Sequence, residues 1–158
     1  MKLARACRAA GGKAGITISD PFCVERHRAD FLNIIEQELD YVIGNEEEVK
    51  SLFETNDLDD AIAKLSAICP LAVCTRSGDG VSIMSGGERI DVPVTKVVPI
   101  DATGAGDQFA AGFLYGLSID KPIGECGALG NLVASKIITH LGARPDINLE
   151  EFVEKAAY

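Results

Sequence analysis

The chain of 158 residues has the length of one average domain, enough to bury a core, and its 47% apolar and 25% charged residues match a soluble globular protein. Its 15 basic and 24 acidic side chains leave a net charge of −9, a surface that repels nucleic acid and anionic membranes, so neither is expected as a partner. A small anion such as a nucleotide stays open, because a few backbone amides and a metal can hold it locally.

The opening segment, "MKLARACRAAGGK", is basic and lacks the apolar core of a signal peptide. Leu3, Ala6, Cys7 and Ala10 share one face at helical spacing, and the pattern predicts an amphipathic helix with these four as its buried stripe. "AGITISD" alternates like a short strand. Residues 24–39 place Phe31, Ile34 and Ile35 on one helical face, with His27 on a solvated one. "DYVIG" is a brief apolar strand, "NEEEVKSLF" starts a helix, and "DLDDAIAKLSAI" is another before the strand "LAVCT". The turn "RSGDG" leads into "VSIMS", "GG" and "ERIDVPV", a hairpin signature.

A further strand is expected to end near Ile100, with a helix starting near Asp107. Residues 123–141 read as the next helix, closed by Gly142 and Pro145. Asn148 as N-cap with Glu151 three residues later starts a last helix in "NLEEFVEKAAY". Strands separated by helices predict a parallel α/β sheet with one late antiparallel hairpin, forming one unit without a linker over residues 1–158. The chain begins with a helix leading into a strand, as if entering such a sheet midway. No run reaches the ~18 apolar residues of a membrane span. The five cysteines, Cys7, Cys23, Cys69, Cys74 and Cys126, include no CxxC pair and no zinc pattern, which predicts buried free thiols in a reducing, cytoplasmic setting.

The chemistry concentrates in "DATGAGDQFAAGF", residues 101–113. Gly104-Ala105-Gly106 ahead of a helix exposes backbone N–H groups at a helix N-terminus, where they and the dipole attract an anion. No Gly-Lys-Ser/Thr follows, and Phe109 stands where a dinucleotide fingerprint needs its third glycine. Asp107 at the mouth of that site has two readings. It is either a helix-start residue favoured by the dipole, or a carboxylate that takes a proton from a hydroxyl attacking a phosphate.

The same segment resembles the signature of the ribokinase (PfkB) family of carbohydrate and nucleoside kinases. "DYVIGNEEEVKSL", "CTRSGDGV" and "GNLVASKIITHLGA" resemble further family segments in the same order. The resemblance covers nearly the whole chain but only the C-terminal half of the family, and the glycines of "RSGDG" stand closer together than in the family loop. It implies a ribokinase-like doubly wound α/β sheet whose N-terminal half and lid are not in this sequence. It implies ATP and Mg²⁺ as cofactors and a sugar or nucleoside hydroxyl as acceptor, with an adenosine-kinase-like branch suggested by "SDPFCVERHR".

Residue by residue, the resemblance implies Asp107 as the base, with Gly104, Ala105 and Gly106 holding the transferred phosphoryl group. Asn45 and Glu48 would serve near Mg²⁺ and the phosphates, although Asn at N-cap with Glu at N3 is also a plain capping box. Thr75, Gly78 and Gly80 would wrap the nucleotide, against the alternative of a simple turn. Asn131 would lie on the adenine side, or be a satisfied core amide. Asp101 and Thr103, with oxygens around Ile137, His140 and Gly142, would bind a monovalent cation such as K⁺, whereas Asp101 alone suits a turn-initiating role. The competing reading is a catalytically incomplete nucleotide-binding portion that self-associates through an exposed sheet edge.

Overall fold

A computed structural model describes residues 1–150 and divides into two compact units, Met1–Arg76 with Ser82–Ile90, and Ser77–Val81 with Asp91 onward. The first unit begins with α1 (Lys2–Ala9), the helix its spacing predicts, but with the apolar stripe outward. No residue of α1 is buried, and Leu3 is 87% exposed. Charge holds the helix instead: Arg5 Nε donates to Glu38 Oε1 at 2.7 Å, and Arg8 lies 3.5 Å from Asp40. Glu38 is buried, and leaving that carboxylate unpaired costs more than exposing one leucine among alanines.

Asp20 accepts the N–H of Phe22 at 2.7 Å and caps α2 (Pro21–Glu38), with Pro21 in the first turn where its missing N–H costs nothing. This start is three residues before the one the apolar periodicity predicts, because caps rather than core residues set helix boundaries. Strands β1 (Gly15–Thr17), β2 (Tyr41–Asn45) and β3 (Leu71–Thr75) pair in parallel, with Gly15 opposite Tyr41 and Asn45 opposite Thr75. Helices α3 (Glu46–Leu52) and α4 (Leu58–Ile68) connect the last two.

Strands β4 (Val81–Ser85) and β5 (Glu88–Val92) complete the sheet order β1-β2-β3-β4-β5. Connections as short as residues 76–80 and Gly86-Gly87 allow only antiparallel neighbours, so the sheet is mixed. Gly86 and Gly87 both take positive φ, 60° and 84°, as a two-residue hairpin turn requires. Val24, Ile35, Val42, Val49, Leu52 and Leu65 are the centre of this unit's core.

In the second unit α5 (Ala105–Ser118) packs on α6 (Ile123–Ile137) through small residues. A Cβ at Gly112 would stand 2.7 Å from the Leu129 carbonyl oxygen, and one at Gly130 2.7 Å from the Phe109 ring. The two backbones therefore approach closely, and Phe109 stacks on Phe113 with ring centroids 6.0 Å apart. Residues 93–100 are not the predicted strand. Pro93 and Pro99 have no N–H to give a ladder, and Ile100 donates its own to the Ile138 carbonyl at 2.7 Å. The helix expected to 141 stops at Ile137.

Asn148 accepts the N–H of Glu150 at 3.0 Å, while its expected partner Glu151 lies outside the described residues. All five cysteines are free; Cys69, Cys74 and Cys126 are buried, but Cys7 and Cys23 are exposed, against the expectation of burial. His27 is exposed, as its charged neighbours predict. Among the described residues no helix is long and apolar enough to cross a membrane.

Candidate active site

Parallel strands present their C-terminal ends to ligands, and in the first unit those ends carry Asn45 and Thr75 side by side. Asn45 caps α3: its Oδ1 accepts the Glu48 N–H at 2.9 Å, and Glu48 Oε2 accepts the Asn45 N–H at 2.9 Å. A further bond runs from Asn45 Nδ2 to Glu48 Oε1 at 2.8 Å. The capping box is thus fully formed. Burial pushes the Glu48 carboxyl above its ordinary range, against the Asn45 amide and helped by the charge of Asp20. Thr75 Oγ1 donates to the Gly44 carbonyl at 3.5 Å.

In the second unit Gly78 lies in the turn Ser77–Asp79 with open space where a Cβ would stand. Gly80 has φ +89°, and a Cβ there would meet the Val92 carbonyl oxygen at 2.1 Å. That same carbonyl and that of Pro93 accept from Asn131 Nδ2, at 3.1 and 3.2 Å. Asn131, buried in α6, therefore spends its amide protons on residues 92–93, which Gly80 also contacts. The satisfied-amide reading of Asn131 holds for these two donors.

Asp101 organises the turn before α5. Its Oδ1 accepts the Thr103 N–H at 2.9 Å and its Oδ2 the Gly142 N–H at 2.9 Å. Hydrogen bonds from the Thr103 side chain, then the amides of Gly142 and Thr103, hold its carboxyl down at about 2. Gly104 takes φ +81°, and a Cβ on it would press to 2.7 Å from Ala143 Cβ. The Ala105 N–H is used inside the turn, donating to the Ala102 carbonyl at 3.1 Å. Gly106 and Asp107, second and third residues of α5, follow a cap without side-chain bonds, and Gln108 is the first to return a bond, to Gly104 O at 2.9 Å. The amides at residues 106 and 107 are the ones that helix geometry leaves for an anion. Open space surrounds the Cα of Gly106 on its Cβ side, and Asp107 is exposed beside it.

The family model for pfkB family carbohydrate kinases matches residues 1–149. The chain belongs to that family. An uncharacterized sugar kinase of Archaeoglobus fulgidus is 36% identical over 102 residues, 65% of this chain and 41% of that one. A cytidine kinase of Thermococcus kodakarensis is 34% identical over 73% of this chain and 42% of its own length. Among solved structures, a probable sugar kinase from Rhizobium etli superposes with a TM-score of 0.96 at 37% identity, over 99% of this chain and 48% of that one. An adenosine kinase from Sinorhizobium meliloti gives 0.95 at 38% identity, again with 48% of its chain covered. The fold is ribokinase-like α/β, and the chain spans less than half the length of these relatives.

Within the second unit the structure joins Asp101, Thr103 and Gly142 by hydrogen bonds at the turn that leads to Gly104, Ala105, Gly106 and Asp107. Ile137 is buried in the last turn of α6, and it is the Ile138 carbonyl that takes the N–H groups of Ile100 and Asp101. His140 Nδ1 lies 2.9 Å from the Leu141 carbonyl oxygen. Ile138 and Ala143 were not legible as site residues. One acts through its backbone and the other only by its small size.

Proposed function

We propose that this chain carries the phosphoryl-transfer machinery of an ATP-dependent kinase acting on a hydroxyl of a sugar or nucleoside. One observation carries the reading: an exposed carboxylate, Asp107, directly follows the exposed Gly106 in the first turn of a helix that has no side-chain cap. Phosphoryl transfer needs positioning and charge stabilisation more than covalent chemistry. Asp107 takes the proton of the acceptor hydroxyl, and the amides of residues 106 and 107 receive the phosphoryl oxygens as their charge shifts. Gly104 gives the turn its left-handed step. The Ala105 amide, engaged with Ala102, serves this turn before it serves a phosphate.

Among the described residues no three His, Cys, Asp or Glu side chains converge as a metal cluster. Asn45 and Glu48 are proposed as outer partners of a Mg²⁺ that arrives with the phosphates and water. When bound, Mg²⁺ neutralises phosphate charge. Thr75, Gly78, Gly80 and Asn131 are proposed for the nucleotide, and Asp101 with Thr103 and the carbonyls near Ile137, His140 and Gly142 for a monovalent cation such as K⁺. The relatives at 34% identity or more include a cytidine kinase and an adenosine kinase, which favours nucleosides as the first acceptors to try.

The test is ADP release over a panel of nucleosides and sugars, with Asp107→Asn as the comparison. For any acceptor that responds, a loss of at least 10²-fold in turnover is expected, the scale of general-base catalysis. Undiminished turnover by the Asn variant overturns the assignment. The coverage of less than half of each relative favours a second reading, a nucleotide-binding portion without turnover of its own. Thermal stabilisation by ATP with no ADP release on any acceptor would select it.

A further inference from the structure

The loop of residues 77–80 holds a backbone that its own bonds do little to secure. Ser77 takes φ +47° without being a glycine, and Gly80 takes φ +89°. Inside the loop the Gly80 N–H reaches the Ser77 carbonyl at 3.3 Å, longer than the usual range of such bonds. A side chain in the left-handed region persists only where its surroundings hold it there. Those surroundings are the exit from β5. Gly80 approaches the Val92 carbonyl so closely that a Cβ would collide with it, and the same Cβ would stand 3.0 Å from Pro93 Cα. Farther along, Lys96 Nζ lies 4.0 Å from Asp79 Oδ1, an exposed pair that contributes little by itself.

Residues 92–93 are held in turn by Asn131. Its Nδ2 donates to the carbonyls of Val92 and Pro93 at 3.1 and 3.2 Å, so one amide group fixes two successive peptide units. Asparagine is a poor residue for a helix interior, and burying its amide is unfavourable unless it is bonded. Asn131 is nevertheless only 6% exposed, in the helix that also buries Leu129 and Val133. A leucine would suit both helix and core better, so the residue type answers to the two carbonyls. Asn131 also stands on a firm base. A Cβ at the preceding Gly130 would press to 2.7 Å from the Phe109 ring, so α6 lies tight on α5, and α5 carries Gly106 and Asp107 in its first turn. One run of contacts therefore joins the helix that bears Asp107 to the loop 77–80, all of it inside one compact unit.

We infer that Asn131 is a positioning residue of the nucleotide loop: it fixes residues 92–93, against which the loop 77–80 keeps its left-handed backbone, and it does so without touching the nucleotide. The inference rests on the proposed role of Gly78 and Gly80 toward the nucleotide and deepens it. Amide exchange at residues 77–81 and ATP affinity by calorimetry are measured for wild type, Asn131→Leu and Asn131→Ser, whose hydroxyl is too short to reach both carbonyls. In both variants exchange over residues 77–81 is expected to be about tenfold faster, the scale of one or two hydrogen bonds, with α5 and α6 unchanged. ATP affinity should fall by a similar factor. Gly80→Ala, which unseats the loop from the other side, should weaken ATP binding alone but add little in the Asn131→Leu background, because the two changes act on one contact. Weaker ATP binding with unchanged loop exchange means that Asn131 meets the nucleotide itself, and overturns the inference. So does faster exchange spread evenly over the loop, α5 and α6, or full additivity with Gly80→Ala. Absence of ATP affinity in the wild type overturns the nucleotide reading beneath it, whereas unchanged loop exchange in a chain that binds ATP overturns the role of Asn131 alone.

Discussion

The Asp101 carboxylate accepts the Gly142 N–H at 2.9 Å, tying the turn before α5 to the loop after α6 across 41 residues of sequence. The other carboxylate oxygen shapes the Thr103 turn on the way to Gly104. One side chain thus sets both the turn that enters α5 and the closure of the segment that carries Ala143.

The pH dependence follows from this tie. Asp101 has a folded value near 2, below the roughly 3.9 of an unfolded aspartate. Its contribution is complete above the unfolded value and is lost as pH falls from about 4 through about 2. Thermal melts between pH 5 and pH 2 should show wild type losing more stability than Asp101→Asn over that window. Parallel curves would remove Asp101 from this role.

Two glycines of one turn should respond differently to alanine. Gly104→Ala forces a side chain into φ +81° and against Ala143, and should cost about 1–2 kcal/mol or more. Gly106→Ala enters open space inside a helix and should leave the melting temperature unchanged or slightly raised. Under the proposed function its methyl group stands on the phosphate's path, so Gly106→Ala should still weaken ATP-dependent stabilisation. Denaturant titrations with and without ATP separate the two effects.

The Asn45–Glu48 box offers a third test. Glu48→Ala removes the acceptor of two bonds at a helix start and should destabilise by about 1 kcal/mol. The sign of the pH effect is opposite to that of Asp101. Burial raises the folded value of Glu48, so the fold is favoured when this group is protonated and loses that advantage as pH rises through the raised value. In Glu48→Gln this component should vanish from stability curves measured above pH 4.

The thiols should divide by burial. Cys7 and Cys23 are exposed, whereas Cys69, Cys74 and Cys126 are buried, and desolvation pushes Cys74 up to about 12. A thiol reagent at pH 8 should label two cysteines in the native protein and the other three only on unfolding. Mass mapping of the labelled peptides identifies which pair reacts.

Local rules explain what could be read without coordinates. The Asn45–Glu48 box lies within four residues, the hairpin at Gly86-Gly87 within two, and the Gly-Ala-Gly-Asp turn before a helix states its own geometry, so each was legible from residue type and spacing. The parallel core followed from strands alternating with helices. Tertiary structure decided the rest. Periodicity shows that Leu3, Ala6, Cys7 and Ala10 share a face, but only the buried Glu38 reaching for Arg5 decides that the face points outward. Residues 93–100 carry strand-forming valines, yet the Ile138 carbonyl takes the Ile100 N–H and the prolines offer none. Gly142 against Asp101, Ala143 against Gly104, and Val92 and Pro93 against Asn131 are pairs some 40 residues apart in sequence, a distance over which residue type carries no information about contact.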